Sequence, residues 1–172
     1  MKKRLLTIGI IVVMLLITLT GCMNIEPTGN VETKDTKSIV ENTKWIAGDG
    51  SEAIFGKKEI RWYQKEGYYD DNYYFGKYEF YIGDDAVEFI TTDLSSYGVT
   101  ETELEGLFER SEEYNRDNFV VFNIEYDGIK MNGETTTPTV SLVPWFGFIF
   151  EDNTYLDVAN MNTGTYYSFT KK

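Results

Sequence analysis

Tyr73-Tyr74-Phe75-Gly76-Lys77-Tyr78-Glu79-Phe80-Tyr81-Ile82 is the stretch that decides the fold. Tyr78, Phe80 and Ile82 fall on one face of an extended chain, and Lys77, Glu79 and Tyr81 fall on the other. An apolar period of two with aromatic and β-branched residues is the mark of a strand with one buried face. The same texture repeats outward on both sides. Upstream, Lys44-Trp45-Ile46 runs into the hairpin signal Asp49-Gly50, followed by Glu52 to Phe55 and, after Gly56, by Glu59 to Gln64. Downstream, Val120, Phe122, Ile124 and Tyr126 alternate with Val121, Asn123 and Glu125. Asp127-Gly128 then reads as a turn, and Asn132-Gly133 as a second. Val140 to Phe150 is apolar on both faces, which fits a central strand or one roofed by a helix. Tyr155 to Val158 and Tyr166 to Thr170 close the chain.

Between these runs two helix starts appear. Asp85 with Glu88 three residues on reads as a capping pair over Ala86, Val87, Phe89 and Ile90. Thr100 with Glu103 is a capping box, with Val99 placed to staple onto Leu104 and with Leu104, Leu107 and Phe108 as one apolar stripe, so residues 100–112 are expected to be helical. The expected fold is mainly β: a single antiparallel β-barrel or strongly bent meander sheet of about eight strands, with a one- or two-helix insertion near residues 85–112. Closure into a barrel would also remove exposed sheet edges.

The first 22 residues have a different texture. Lys2, Lys3 and Arg4 precede an uncharged apolar run from Leu5 to Leu19, which ends in Leu19-Thr20-Gly21-Cys22. A basic head, an apolar middle and small residues before a processing site make an export signal. An uncleaved membrane span is the plainer alternative, but the run is at the short end for a bilayer, which needs about 20 residues. Leu-Thr-Gly-Cys resembles the lipobox of bacterial lipoproteins. That resemblance implies cleavage between Gly21 and Cys22, diacylglycerol on the Cys22 sulfur with palmitate-type acyl chains, and a chain held at the cell membrane on its extracytoplasmic side. The organisation expected from it is a signal peptide over 1–21, a lipidated Cys22 and polar tether over 22–42, and a β-rich globular domain over 43–172. A polar tether of this length has an r.m.s. reach of roughly 25 Å.

Composition excludes several kinds of chemistry. There are 28 acidic and 16 basic residues, a net charge of −12. Removal of residues 1–21 takes away Lys2, Lys3 and Arg4 and no acid, which leaves about −15. Nucleic acid and anionic headgroups both call for Lys/Arg clusters, so neither is an expected partner. Membrane attachment would come from the lipid on Cys22, since two or more acyl chains hold firmly and one does not. The chain has no histidine and one cysteine, Cys22. That removes histidine-dependent triads, Cys/His zinc clusters and disulfides, and no cofactor is expected.

A second, smaller resemblance lies in the barrel itself. Trp45 in Asn42-Thr43-Lys44-Trp45 on the first strand, with Lys171 and Lys172 after the last, is similar to the lipocalin-type barrel, where a tryptophan and a basic residue pack across the barrel end. The glycine which that family places two residues before the tryptophan is absent here, and the helices lie mid-chain.

Ser168-Phe169-Thr170-Lys171 has the Ser-x-x-Lys spacing of penicillin-recognising enzymes, but it ends a strand and lacks the companion motifs, so coincidence is the better reading. Acid pairs at Asp70-Asp71, Asp84-Asp85 and Glu151-Asp152 allow a carboxylate-based glycan hydrolase as the competing function. Solvated turn carboxylates explain them as well. Calcium at Asp70, Asp71 and Asn72 would lack the twelve-residue loop pattern. Aromatic residues are the richer signal, with 13 Tyr, 11 Phe and 3 Trp. Trp62, Tyr63, Tyr68, Tyr69, Tyr73 and Tyr74 flank one loop and are the candidate ligand-binding residues, suited to stacking on sugar rings or gripping a peptide. Core and cross-strand packing is the structural alternative for each of them. The functional expectation is a lipid-anchored, non-enzymatic binding module for a protein, peptide or glycan, with a structural or protective envelope role as a third possibility.

Overall fold

The computed structural model describes residues 39–63, 72–150 and 152–172. The expected signal peptide with Gly21 and Cys22 and most of the expected tether lie outside the described residues, as do Tyr68, Tyr69, Asp70, Asp71 and Glu151. Among the described residues nine strands form: β1 (Thr43–Ala47), β2 (Glu52–Phe55), β3 (Glu59–Tyr63), β4 (Tyr73–Ile82), β5 (Phe119–Met131), β6 (Glu134–Thr136), β7 (Trp145–Phe150), β8 (Tyr155–Asn160) and β9 (Tyr166–Lys171). Two helices, α1 (Asp84–Thr92) and α2 (Glu101–Phe108), lie between β4 and β5. The sheet runs β4-β3-β2-β1-β9-β8-β7-β5-β6, and β4 also pairs with β5 along ten register positions from Tyr73↔Lys130 to Ile82↔Val120. That last pairing closes an eight-stranded antiparallel barrel, with β6 as an extra strand on the tip of β5.

Up-and-down order gives the barrel two distinct ends. The β2–β3 turn, the helical crossover from β4 to β5, the β7–β8 turn and both ends of the described body share one end. The β1–β2, β3–β4 and β8–β9 connections share the other with the long link that leads to β7. The first of these ends is partly covered by the residues before β1. Val40 is fully buried and Ile39 packs against the same core, so the folded body begins before Thr43. Lys171 Nζ lies 5.6 Å from the centre of the Trp45 ring and donates to the Ile39 carbonyl at 3.1 Å. The Trp45 indole N–H donates to Thr43 Oγ1 at 2.7 Å. An ammonium over an indole face, with its remaining donors near backbone oxygens, is a stable lid for an apolar interior.

An eight-stranded barrel is just wide enough for side chains to fill. Here aromatic residues do most of the filling. Phe55 packs against Tyr78 at 4.9 Å and against Phe122 at 5.3 Å, and Phe80 against Phe122 at 4.9 Å, mostly at the inclined angles that ring quadrupoles favour. A second apolar layer lies outside the wall. Phe119, Val121, Phe146 and Phe148 point outward from β5 and β7 and are covered by Val87, Ile90, Leu104 and Leu107 of the helices. That roof is why β7 is apolar on both faces.

Three local expectations need correction. Asp127-Gly128 does not turn the chain: β5 runs through it to Met131, and the register slips at Phe75/Gly76 opposite. A bulge there leaves one residue unpaired and bends the strand, and Gly128 fits because a Cβ would strike the Phe75 ring. The reversal comes at Asn132-Gly133, both with positive φ (52° and 84°), as a tight hairpin turn demands. α1 is not capped by Asp85 and Glu88. It starts at Asp84 after Gly83, whose φ of 67° lets the chain swing from strand into helix with no side-chain cap. The second signal forms as written, with Glu103 N–H to Thr100 Oγ1 at 3.3 Å and Thr100 N–H to Glu103 Oε2 at 3.0 Å. α2 ends at Phe108, short of residue 112, and Phe108 and Tyr114 pack edge-on against Phe148.

Candidate functional site

The open end of the barrel holds a pocket of about 310 Å³, lined by Trp62, Tyr74, Tyr126, Val140, Val143, Trp145, Asn160 and Tyr167. Each strand residue in that set sits where its strand meets this end. Trp62 is the fourth of five residues in β3, Tyr74 the second of β4, Trp145 the first of β7, Asn160 the last of β8 and Tyr167 the second of β9. Tyr126 has the inward parity of Val120, Phe122 and Ile124, and lies on β5 just before the bulge. The link to β7 is tied down by Tyr126 N–H to Ser141 O and Val143 N–H to Ile124 O, both 2.8 Å, which sets Val143 and half-exposed Val140 on the rim.

The rings form two groups. Trp62, Trp145 and Tyr167 meet one another at 5.2 to 5.4 Å, and all three rest on Phe169 below. Tyr74 and Tyr126 meet at 5.3 Å. No residue lining the pocket carries a formal charge. Burial and the neighbouring Tyr167 and Tyr74 phenols push the Tyr126 hydroxyl well above the ordinary phenol range, and burial, Asp49 and Tyr74 push Tyr167 up in the same direction. These phenols therefore stay protonated and can both donate and accept.

One further polar group, the Asn160 amide, belongs to this mouth. Asn160 Oδ1 accepts from the backbone N–H of Asn162 at 2.9 Å and of Thr163 at 3.3 Å, so its NH₂ is what it can offer a ligand. Trp145 is 2 % exposed, and its indole N–H is buried with no hydrogen-bond acceptor. A buried donor without an acceptor costs about 1–3 kcal/mol. The indole nitrogen is out of reach of solvent, so this cost belongs to the packed core behind the mouth.

The residues singled out from sequence divide accordingly. Trp62 and Tyr74 line the mouth. Tyr63 and Tyr73 do not: they pair across β3 and β4 on the outer wall at 5.2 Å, with Arg61 and Lys130 each 5.9 Å from the Tyr73 ring centre. Tyr68 and Tyr69 lie outside the described residues. Tyr126, Trp145, Asn160 and Tyr167 were not anticipated, although inward parity at a strand end was a usable signal for the three aromatic residues. Ser168 and Lys171 stand on opposite faces of β9, which removes the Ser-x-x-Lys reading. Asp84 is ion-paired with Arg116 at 2.7 Å. Among the described residues no group of three or more acidic or cysteine side chains could hold a metal ion. At the opposite end of the barrel a cleft of about 220 Å³ lies between Glu41, with Lys57 and Lys58 of the β2–β3 turn, and Tyr78 to Tyr81 of β4, a mixed-charge surface without the mouth's neutrality.

No family model, no curated protein and no solved structure matches this chain.

Proposed function

We propose that this chain is a lipid-anchored extracytoplasmic binding module, held at the membrane through Cys22 and recognising a small neutral ligand, or one end of a larger one, in the barrel mouth. The observation that supports recognition is the convergence of Trp62, Tyr74, Tyr126, Trp145 and Tyr167 on one uncharged pocket. A volume of about 310 Å³ is at the lower edge of small-molecule sites. The barrel below is packed, so the site is a shallow cup and not a deep lipid cavity. Anchor and cup suit each other in direction. The chain enters β1 at one end of the barrel, and the mouth opens at the other, away from a membrane tethered through residues before Ile39.

The address and the activity are tested separately. Cys22→Ala should accumulate as unprocessed precursor without acyl label; acyl labelling that persists would remove the anchor. For the activity, emission of Trp62 and Trp145 is followed while the full-length protein is titrated with a neutral naphthyl dye, a proline-rich peptide and neutral methyl glycosides. A saturable change with one of these, weakened at least tenfold by Trp62→Phe, is expected. No change with any of them would refute the binding reading.

A further inference from the structure

Resting on the binding-module reading, we propose that the mouth takes a neutral pyranose ring, either as a simple glycoside or as one unit of an uncharged glycan. Trp62, Tyr74 and Tyr167 line the pocket with ring surfaces, Trp62 and Tyr167 meeting at 5.2 Å, and Trp145 is buried behind them. The C–H face of a sugar is apolar and stacks on such surfaces, while its rim carries hydroxyls that both donate and accept. The mouth has matching groups in the same small volume: the phenols of Tyr74, Tyr126 and Tyr167 and the Asn160 amide.

Each competing ligand class leaves some of these groups unanswered. A hydrocarbon would dehydrate the phenols and the amide without giving a hydrogen bond back, a loss at every buried polar group. A proline-rich peptide brings carbonyl acceptors but few donors, and so would leave phenol oxygens unmatched. A carboxylate or phosphate would meet no cation in the pocket, and it would approach a chain of net charge −12. A cation would find ring faces but no carboxylate among the lining residues. A ring with polar edges, two apolar faces and no charge satisfies all three properties at once.

The test uses the full-length protein in a polyoxyethylene detergent, since an alkyl glycoside would itself present a pyranose. Tryptophan emission is titrated with methyl β-glucopyranoside, N-acetylglucosamine, their tetrasaccharides, glucuronate and an oligoproline. The neutral monosaccharides should saturate with Kd of about 1 mM. A glycan-unit ligand is indicated if the tetrasaccharides bind at least about tenfold more tightly, and a simple glycoside if they do not. Glucuronate should be at least about tenfold weaker than the neutral sugars. Tyr126→Phe and Tyr167→Phe keep their rings and the barrel, verified by circular dichroism, and each should weaken sugar binding by about fivefold through one lost hydrogen bond. Sugar affinity unchanged in both variants would overturn the proposal. So would dye or oligoproline binding that depends on Trp62 in the absence of any sugar response, a result that leaves the binding mouth standing. Silence from every ligand would remove the binding mouth as well.

Discussion

Gly147 tests the packing that holds the mouth together. It is the next inward position after Trp145 on β7, paired with Val158 of β8 and Val120 of β5. A methyl group there would overlap the Asp157 carbonyl oxygen and come within 2.8 Å of Val158 Cα, both backbone atoms that no rotamer change can move. Gly147→Ala must therefore push β8 away from β7. Overpacking of this kind costs about 1–3 kcal/mol, and loss of two ladder hydrogen bonds adds about 1 kcal/mol each. The expected loss is about 3–5 kcal/mol, a large part of the roughly 5–15 kcal/mol that holds a domain folded. Urea unfolding followed by tryptophan emission reads it directly, because Trp45, Trp62 and Trp145 are all buried in the barrel. The melting temperature should fall by roughly 10–20 °C. Gly106→Ala is the matched control. It lies within α2 with no atom within 4 Å of a new Cβ, so relief of helical glycine should stabilise by about 0.5–1 kcal/mol. A Gly147→Ala protein within 1 kcal/mol of the parent would show that β7 and β8 do not approach so closely, and the barrel closure argued above would fail with it.

Three other outcomes follow from the same structure. Thr100→Ala removes the observed capping box of α2 and should cost about 1 kcal/mol in urea unfolding, whereas Asp85→Ala, which caps nothing, should cost less than half of that. Arg116 bridges Asp84 at the start of α1 to Glu101 at 3.0 Å and to Glu105 in α2, which keeps its guanidinium firmly protonated. Arg116→Ala should cost about 1 kcal/mol, discounted for partial exposure, and the difference from the parent should shrink at high salt; a salt-independent difference would argue for lost packing instead. Burial, with Glu41 nearby, raises the Tyr78 phenol to about 12, and Tyr126 and Tyr166 move the same way. Because the folded state holds these protons more tightly, its stability is complete below the unfolded phenol pKa of about 10 and is lost as pH rises toward 12. Unfolding free energy should thus drop between about pH 10 and about pH 12 together with the rise of tyrosinate absorption, and a flat profile would contradict the burial.

The sequence by itself determined what local chemistry can determine. Period-two patterning assigned Tyr78, Phe80 and Ile82 to one face and Val120, Phe122, Ile124 and Tyr126 to one face, because a pleated strand leaves no other choice. Thr100 and Glu103 marked the start of α2, because their hydrogen bonds close within four residues. Asp127-Gly128 misled for the same reason. Its turn chemistry is real, but ladder bonds on both sides of β5 outweigh it and turn the site into a bulge. Tertiary structure alone decided closure, since the pairing of β4 with β5 across the helical insertion, and of β1 with β9 across the whole body, is a matter of register between distant segments. It also decided the mouth. Trp62, Tyr74, Tyr126, Trp145, Asn160 and Tyr167 come from six strands, and only barrel shear brings them to one rim. Tyr63 and Tyr73 sit one residue away from Trp62 and Tyr74, yet they face outward: in a β-strand a single step in sequence crosses the wall.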